Sequence, residues 1–363
     1  MYTFYAITRI AVASGLDYTK TNQARQQHME NNAGQREREK AMQPMISTQK
    51  QRGLLREKKK SILMIGAAVV ILAVIQCVNP KFLSEGNLLT VINSIPAPSI
   101  VAFGFTLILI TGGIDLSCGY GLTVCIMMLG QGLDAGLAPW LSALMAILTG
   151  AVLGAVNGFL IVKTKITPFI VTLATMSACQ GLLNLLYPGG RVTLDDELFT
   201  TIGFGDVGGI PITFLIAMAI FVLFLLILKK TKLGTYAYAI GSNEKNAAVA
   251  GINIGKYKFI IYVIGGICVG IGALILSSRV GIVQKTSGGI STMMDVVTAV
   301  VLGGTSTAGG EGGVAGTLAG VVVLQLLTSA LVLFNVPSAG QDIVKGLLII
   351  LGMIAMSRLK NTK

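Results

Sequence analysis

The stretch IPITFLIAMAIFVLFLLIL, residues 210–228, holds no charged side chain and is long enough to cross the hydrocarbon core of a bilayer as a helix. Similar apolar runs recur between Ser61 and Ser357. The composition agrees, because 53% of the 363 residues are hydrophobic and only 12% are charged, about half the charge of a soluble protein. The sequence therefore predicts an all-α polytopic membrane protein, and it excludes a soluble enzyme, a fibrous protein and a disordered chain.

Ten apolar segments divide the chain after residue 60. The eighth is short, so it is expected to be a broken or partly inserted helix, and nine crossings stay open beside ten. With the N-terminus inside, the inner connections and the C-terminus carry 11 Lys and Arg residues against 4 outside, which favours ten crossings with both termini in the cytoplasm. The segments are 61–78, 88–110, 116–133, 137–162, 167–187, 210–228, 257–278, 292–303, 313–334 and 339–357.

Residues 1–60 differ from the rest of the chain. They carry 12 Lys and Arg against 5 Asp and Glu and are rich in Gln and Asn. Such a composition buries too little apolar surface to offset the entropy of ordering, which predicts a basic, disordered cytoplasmic tail. Two alternatives stay open. Translation could begin at Met29, Met42 or Met45, so that much of this region is not made, or membrane lipid could be a partner whose anionic headgroups contact Arg56, Lys58, Lys59 and Lys60. Residues 61–363 form the transmembrane domain.

The sequence offers little for catalysis or metal binding. The five cysteines lie in apolar segments without a CxxC pair, and the single histidine, His28, lies in the polar tail, so neither a metal site nor a disulfide framework is expected. The stretch GGTSTAGGEGG has the first half of a phosphate-binding loop at Gly304 and Gly309. Gly310 and Glu311 follow, so the lysine that would reach a phosphate is absent. We therefore expect no bound nucleotide, no cofactor and no enzymatic activity in this chain.

Two segments carry glycine at every fourth position, which gives a smooth helix face for close packing. In the ten-crossing arrangement these segments run in opposite directions, so the shared spacing also suggests an inverted-topology repeat, as in many transporters. Chance is the alternative, because the chain holds 45 glycines. The helix-packing glycines are Gly150, Gly154 and Gly158 in the fourth segment and Gly312, Gly316 and Gly320 in the ninth.

The inner connection between the sixth and seventh segments contains a short helix candidate, residues 245–250. Ser242 or Asn243 can cap its start, Glu244 suits the positive end of the helix dipole, and Gly251 can end it. A helix this short is not stable alone, so it needs bracing and a surface to dock on. An ordinary surface turn is the alternative.

The largest outer connection, residues 188–209, is acidic and punctuated by glycine. It could receive an extracytoplasmic partner, or it could be a solvated loop without one.

At this point the chain resembles the permease subunits of bacterial ABC importers of the ribose, galactoside and xylose type. The matching stretches cover nearly everything from about residue 61 onward, and together they are highly specific. Residues 1–60 lie outside the resemblance and form a longer tail than is usual in that family. The stretches are ILITGGIDLSCG (108–119), GAVNGFLIVKTKITPFIVTLATM (154–176), YAIGSNEKNAAVAGINIGKYK (238–258), AVVLGGTSTAGGEGGVAGTLAG (299–320) and IVKGLLIIL (343–351).

The resemblance implies a multi-pass permease of the bacterial inner membrane that pairs with a second copy or a paralogue. Two cytoplasmic ATPase subunits would bind ATP and Mg²⁺, and an extracytoplasmic sugar-binding protein would deliver a monosaccharide or similar small polar solute. ATP hydrolysis in the partners would drive alternating access. Nucleic acid is not expected as a partner, because the membrane-embedded part has no basic stripe interleaved with stacking aromatic residues.

The resemblance also implies that the short helix fits into the ATPase. Ser242, Lys245, Asn246 and Ala250 depart from the usual family pattern, but the flanking residues are retained. The ATPase-docking positions are Gly241, Asn243, Glu244, Ala247, Ala248 and Gly251.

A sugar pathway should expose amides, hydroxyls and aromatic faces near the membrane centre. Candidates for the translocation path are Asn93, Phe105, Asn157, Phe169 and Thr172. The alternative for each polar member is a structural role, since such groups commonly form hydrogen bonds across membrane helices.

Two rival functions stay open. The related ABC permeases for branched-chain amino acids or nucleosides share the architecture, although the strings GGIDLS and AIGSNE favour the sugar side. A gradient-driven carrier or channel would transport solute without ATP. The ionisable residues near segment ends are Asp115, Asp295, Asp342 and Lys345, and they do not form the chain of buried carboxylates that a proton-driven carrier usually needs.

Overall fold

The computed structural model describes residues 76–77, 79–187, 191–284 and 288–361. A helix covers each predicted segment from the second onward, which confirms the all-α prediction. The first predicted span and the predicted tail, residues 1–60, lie outside the described residues. After a short 3₁₀ turn at Pro80–Leu83, the helices are α1 (Glu85–Ser94), α2 (Pro96–Ile110), α3 (Cys118–Asp134), α4 (Pro139–Thr164), α5 (Pro168–Leu186), α6 (Glu197–Phe204), α7 (Ile212–Lys230), α8 (Lys232–Ser242), α9 (Glu244–Val249), α10 (Ile254–Val280), α11 (Ile290–Leu302), α12 (Val314–Leu333) and α13 (Ser338–Asn361).

Six helical stretches among the described residues are long and apolar enough to cross a membrane. They are α1 together with α2, then α4, α5, α7, α10 and α12. The chain is thus a multi-pass membrane protein, and the predicted count of ten is approximate.

The N-terminal ends of two shorter helices, α3 and α11, are in contact with each other. α3 has 17 residues and α11 has 13, about 25 and 20 Å at 1.5 Å per residue, both less than the 30 Å hydrocarbon core. The amide of Gly289, just before α11, donates to the carbonyl oxygen of Gly119 in α3 at 3.2 Å. A Cβ on Gly119 would overlap the Gly289 carbonyl. The eighth segment is confirmed as a short helix, and the two glycines just before it are buried next to α3.

The glycine face of α4 packs directly against α10. A Cβ on Gly150 would overlap the carbonyl oxygen of Gly266, and a Cβ on Gly154 would overlap that of Tyr262. A Cβ on Gly158 would lie 3.1 Å from the Cβ of Tyr262. Because lipid tails are as apolar as the side chains, membrane helices associate through close packing of this kind rather than through the hydrophobic effect.

The second glycine spacing serves a different contact. Gly316 and Gly320 of α12 face α11, where an added Cβ would overlap the carbonyl oxygen of Gly303 or Ala299 respectively. Gly312 lies before the helix and has a φ of +134°, so its place is in the loop rather than in the helix packing.

The contacts among helices α2–α5 nonetheless resemble the contacts among helices α10–α13. α4 packs against α3 and α10, while α12 packs against α11 and α2, and α2 and α10 pack against each other. Likewise, α3 contacts α5 and α11 contacts α13. Exchanging α2–α5 with α10–α13 therefore preserves these contacts, as an internal repeat would, although among the described residues the contact of α4 with α5 has no counterpart of similar extent between α12 and α13. The matched glycine spacings do not share partners, so the helix contacts, and not the glycine spacing, are what favours the predicted repeat.

Two short antiparallel strand pairs, which sequence analysis missed, organise the predicted outer connections. β1 (Arg191–Thr193) pairs with β4 (Ile282–Gln284), so the chain after α5 is joined to the chain after α10. β2 (Asp206–Val207) pairs with β3 (Ile210–Pro211), and the two glycines of the turn between them have positive φ. Positive φ at both turn positions is what a type I′ hairpin turn needs.

A buried ion pair joins α11 to α13. The Lys345 ammonium lies 2.7 Å from a carboxylate oxygen of Asp295, and Asp342 lies 3.9 Å away on the other side. The Lys345 side chain is only 6% exposed. The attraction between the Lys345 ammonium and the Asp295 carboxylate offsets the desolvation cost of placing these two charges among apolar helices.

Gly154→Ala should destabilise the protein. The added methyl group would overlap a backbone carbonyl of α10, and overpacking of this kind costs about 1–3 kcal/mol in the free energy of unfolding. The measurement is the thermal unfolding midpoint of the full chain in mild detergent. Gly181→Ala in α5 is the matched control, because a Cβ there meets nothing within 4 Å. An unchanged midpoint for Gly154→Ala would contradict the packing argument.

Lys345→Met should also destabilise, because it leaves Asp295 unpaired. We expect a loss of about 2 kcal/mol in the free energy of unfolding, less than for a fully buried pair because Asp295 is partly exposed. The double variant Lys345→Met with Asp295→Asn should recover most of the loss, since neither charge is then left without a partner. Equal instability of the single and double variants would show that packing of the lysine stem, and not the charge, is what matters.

Candidate functional site

The short helix α9 lies where the sequence predicts it, and it is capped at both ends. The side chain of Asn243 accepts a hydrogen bond from the amide of Asn246 at 3.0 Å, so Asn243 is the N-cap rather than Ser242. At the other end, Gly251 has a φ of +81°. The amide of Gly251 donates to the carbonyl oxygen of Ala248, and the amide of Ile252 donates to the carbonyl oxygen of Ala247. These two hydrogen bonds form the Schellman motif of a helix C-terminus.

A further contact braces α9 against the bundle. The Lys258 ammonium in α10 donates to the Glu244 carboxylate at 2.9 Å. Ala247 is buried, whereas Val249 is 90% exposed. A helix this short is held in place by its caps, by one buried alanine and by an ion pair, and the rest of its surface is free for a partner.

Near the end of α8, the helix that precedes α9, the backbones of three separate parts of the chain are in contact. The amide of Gly310 donates to the carbonyl oxygen of Ile110, at the end of α2, at 2.8 Å. A Cβ on Gly241, near the end of α8, would overlap that same carbonyl oxygen and would lie 2.6 Å from the Gly310 amide. Only glycine at position 241 permits this approach. We call this meeting of Ile110, Gly241 and Gly310 the glycine junction.

Neighbouring contacts extend the glycine junction. A Cβ on Gly309 would lie 2.8 Å from the Gly112 amide and 3.0 Å from the Gly241 carbonyl. The hydroxyl of Tyr238 in α8 donates to the carbonyl oxygen of Gly312 at 2.8 Å. α8, which carries α9, is therefore attached to the end of α2 and to the loop between α11 and α12. These contacts explain why three distant glycine-rich stretches occur in one sequence.

A polar network lies next to the junction. Ser117 donates through its amide and its hydroxyl to the Asp115 carboxylate. The Asn157 side-chain amide in α4 donates to the Ser117 hydroxyl at 2.9 Å, and the Thr175 hydroxyl in α5 donates to the Asn157 carbonyl at 2.6 Å. This chain of hydrogen bonds ties the segment after α2 to α4 and α5.

The same segment runs within the bundle. The backbone carbonyl oxygen of Ile114 accepts hydrogen bonds from the hydroxyls of Thr172 and Tyr262, at 3.1 and 3.3 Å. Tyr262 lies eight residues after the start of α10, about 12 Å along the helix, and Asn157 lies seven residues before the end of α4, about 10 Å. Non-helical backbone at such a depth is tolerated only where protein groups satisfy it, and these side chains do so.

The proposed pathway residues do not gather in one place. Asn157 and Thr172 are fully buried and take part in the polar network. Phe105 is buried in the hydrophobic core, Asn93 is partly buried in α1, and Phe169 is 47% exposed at the start of α5. The geometry accounts for Asn157 and Thr172 as structural groups, while their part in transport stays a prediction.

Sequence analysis missed two features of the site. One is the glycine junction, because it joins residues about 130 and 70 positions apart in the chain, and the only signal was the glycine content of each loop. The other is Val249, an apolar side chain whose exposure becomes evident only once the burial of Ala247 fixes the orientation of α9. Within the described residues, no three His, Cys, Asp or Glu side chains lie together as a metal site would need.

Asn157→Leu should lower the free energy of unfolding by about 1–2 kcal/mol, because the Ser117 and Thr175 hydroxyls each lose a partner. Thermal unfolding in detergent measures this loss, and uptake into vesicles is measured in parallel. Phe169→Leu, at an exposed site, should leave the unfolding midpoint unchanged. If Asn157→Leu keeps full stability and only the uptake of solute falls, Asn157 lines the pathway and the structural account is wrong.

Known proteins match the chain over most of its length. The family model for the branched-chain amino acid transport system / permease component matches residues 87–353. The ribose import permease protein RbsC of Haemophilus influenzae is 34% identical over 302 residues, which cover 82% of this chain and 93% of that protein. RbsC of Bacillus subtilis is 37% identical over 78% of this chain and 89% of its own length. The L-arabinose transport system permease protein AraH of Escherichia coli is 32% identical, over 76% and 84% respectively.

No solved structure matches the chain. The family model nevertheless covers most of the sequence, and the relatives match over most of their own lengths. This chain therefore belongs to the branched-chain amino acid transport system / permease component family, the membrane-spanning permeases of ABC importers.

Proposed function

We propose that this chain is the membrane-spanning subunit of an ABC importer for a monosaccharide. The ribose and L-arabinose permeases among its relatives support the sugar assignment over branched-chain amino acids or nucleosides. As in ABC permeases generally, the ATPase is a separate subunit and a binding protein supplies the solute. In this proposal the ATPase binds ATP and Mg²⁺, both termini are cytoplasmic, the membrane is the bacterial inner membrane, and the permease acts as a pair.

The single observation that carries the proposal is the construction of α9. Its caps and its ion pair to Lys258 fix its direction, and Val249 projects almost entirely into solvent. An exposed apolar side chain on a rigid, polar-flanked helix is suited to a cleft on a protein partner. A gradient-driven carrier has no need for such an element.

The glycine junction gives the docked helix a route to the bundle. A displacement of α9 would also displace α8, because the two helices are consecutive. α8 contacts the end of α2 through Gly241 and the loop before α12 through Tyr238. Backbone-to-backbone contacts of this kind leave no flexible side chain to absorb the displacement. We infer that ATPase movement reaches α2 and α12 together, one helix from each half of the repeat.

The outer connections supply the opposite face. The β1–β4 pairing fixes the two largest connections to each other, which gives an extracytoplasmic binding protein an ordered surface. Asp195, Glu197 and Asp206 are exposed there, so the surface is acidic. We infer that the delivering protein presents basic groups to it.

Ala248→Arg should separate the permease from its ATPase. The residue is exposed on α9, so the substitution leaves the bundle intact but places a long cation in the contact. We expect at least about a tenfold loss of ATP-driven sugar uptake, since 1.4 kcal/mol of lost docking free energy is tenfold in affinity. The readouts are ATPase recovered with the tagged full chain and uptake of ribose into vesicles that contain the complete importer.

Thr235→Arg is the matched control, because Thr235 is also exposed, in the preceding helix α8. It should retain both the ATPase and the uptake. If Ala248→Arg transports normally with ATP, the docking assignment is wrong. If the purified chain alone carries sugar without ATP, the importer function itself is wrong and a gradient-driven carrier replaces it.

A further inference from the structure

A groove of about 350 Å³ opens on the outer surface of the bundle, between the end of α4 and the start of α10. It lies where both apolar helices end, which places it at the boundary between hydrocarbon and water. Its lining combines two lysines and two phenylalanines with smaller groups. The lining residues are Phe159, Val162, Lys163, Gly255, Lys256 and Phe259.

The glycine in the lining is part of the reason that the groove exists. A Cβ on Gly255 would lie 2.8 Å from a methyl carbon of Val162, so the ends of the two helices touch at this point. One turn deeper, Phe159 is 58% exposed and Phe259 is 37% exposed. The groove thus has a floor of close helix contact and aromatic side chains toward the hydrocarbon.

The two lysines lie at the watery end of the groove and are not engaged elsewhere. Among the described residues, neither Lys163 nor Lys256 forms an ion pair with a carboxylate. The neighbouring Lys258 contrasts with them, because it is bonded to Glu244 of α9. Residues two apart on a helix point in different directions, so α10 directs Lys258 to α9 and Lys256 to the groove.

We propose that this groove binds an anionic phospholipid, with its phosphate between Lys163 and Lys256 and the upper part of its acyl chains against Phe159 and Phe259. Charge complementarity supports this occupant, since two free ammonium groups suit a phosphate. The aromatic rings below them suit hydrocarbon and not a polar solute. Basic pockets between membrane helices at the cytoplasmic boundary commonly hold acidic headgroups.

The proposal also gives the lipid a structural role. A lipid in the groove would contact both α4 and α10, the two helices whose backbones touch through Gly154 and Tyr262. It would lie close to the start of α10 without occupying the face that Lys258 turns toward α9. The site is therefore separate from the proposed ATPase contact, and it can be tested whether or not that contact exists.

The test is native mass spectrometry of the full chain in mild detergent, titrated with phosphatidylglycerol or with zwitterionic phosphatidylcholine. The wild-type chain should retain phosphatidylglycerol in preference. The double variant Lys163→Gln with Lys256→Gln should bind it about tenfold or more weakly, because each basic residue near the surface contributes substantially to attraction of acidic lipid. Glycerol phosphate at millimolar concentration should not displace the lipid, because it cannot fill the aromatic part of the groove.

The matched control is Lys229→Gln with Lys230→Gln at the end of α7, which removes the same charge from another helix end. It should leave phosphatidylglycerol binding within about twofold of wild type, given the short range of such surface attraction. An equal loss in both double variants would show general attraction by a basic surface and would overturn the site. Displacement by glycerol phosphate would overturn the lipid in favour of a free anion.

A second measurement needs no substitution. Phosphatidylglycerol with a photoreactive group in its acyl chain is crosslinked to the wild-type chain, and the modified peptides are identified by mass spectrometry. Crosslinks should concentrate in residues 154–164 and 254–262. Crosslinks spread evenly over all membrane helices would overturn the proposal, even if a lysine variant failed to fold.

Discussion

Close approach of backbones through glycine is the constraint on which this structure depends. α10 lies against α4 at a separation that leaves no room for a methyl group at Gly150, Gly154 or Gly266. The same kind of contact recurs between α11 and α12 and at the glycine junction behind α9. In a membrane the apolar side chains gain little by leaving lipid, so dispersion between closely packed backbones must replace the hydrophobic effect. The high glycine content is therefore a condition of the fold.

Local patterns in the sequence were sufficient where the structure depends on local interactions. Apolar length located the helices, because backbone hydrogen bonds in lipid must be satisfied within each segment. The pattern of Asn243, Glu244 and Gly251 located α9, because caps act within one turn. The glycine faces were also predicted, but their partners were not. The equal spacing suggested a repeat, but one face packs on α10 and the other on α11.

What the sequence could not predict is long-range pairing of polar groups. Asp295 and Lys345 were each recognised as charges that are costly to place near a membrane span. What stabilises them is the ion pair that they form with each other, and the two residues are 50 positions apart in the sequence. Likewise, the amide of Asn157 suits a sugar pathway as well as it suits the Ser117 hydroxyl, and only the fold shows which is adjacent. A single sequence carries the chemistry of a polar group but not the identity of its neighbour.

These features suit the alternating access that we propose for this chain. The segment after α2 lies between the glycine junction on one side and the polar network of α4, α5 and α10 on the other. The junction is formed by one backbone hydrogen bond and by contacts between backbones, whereas the network consists of hydrogen bonds made by side chains. In the proposed importer, a displacement delivered at α9 would move the end of α2, and the hydroxyl and amide groups around Ile114 would adjust to it. The rigid contacts near α9 would transmit such a displacement, whereas rotatable hydroxyl groups within the bundle can form hydrogen bonds in more than one arrangement.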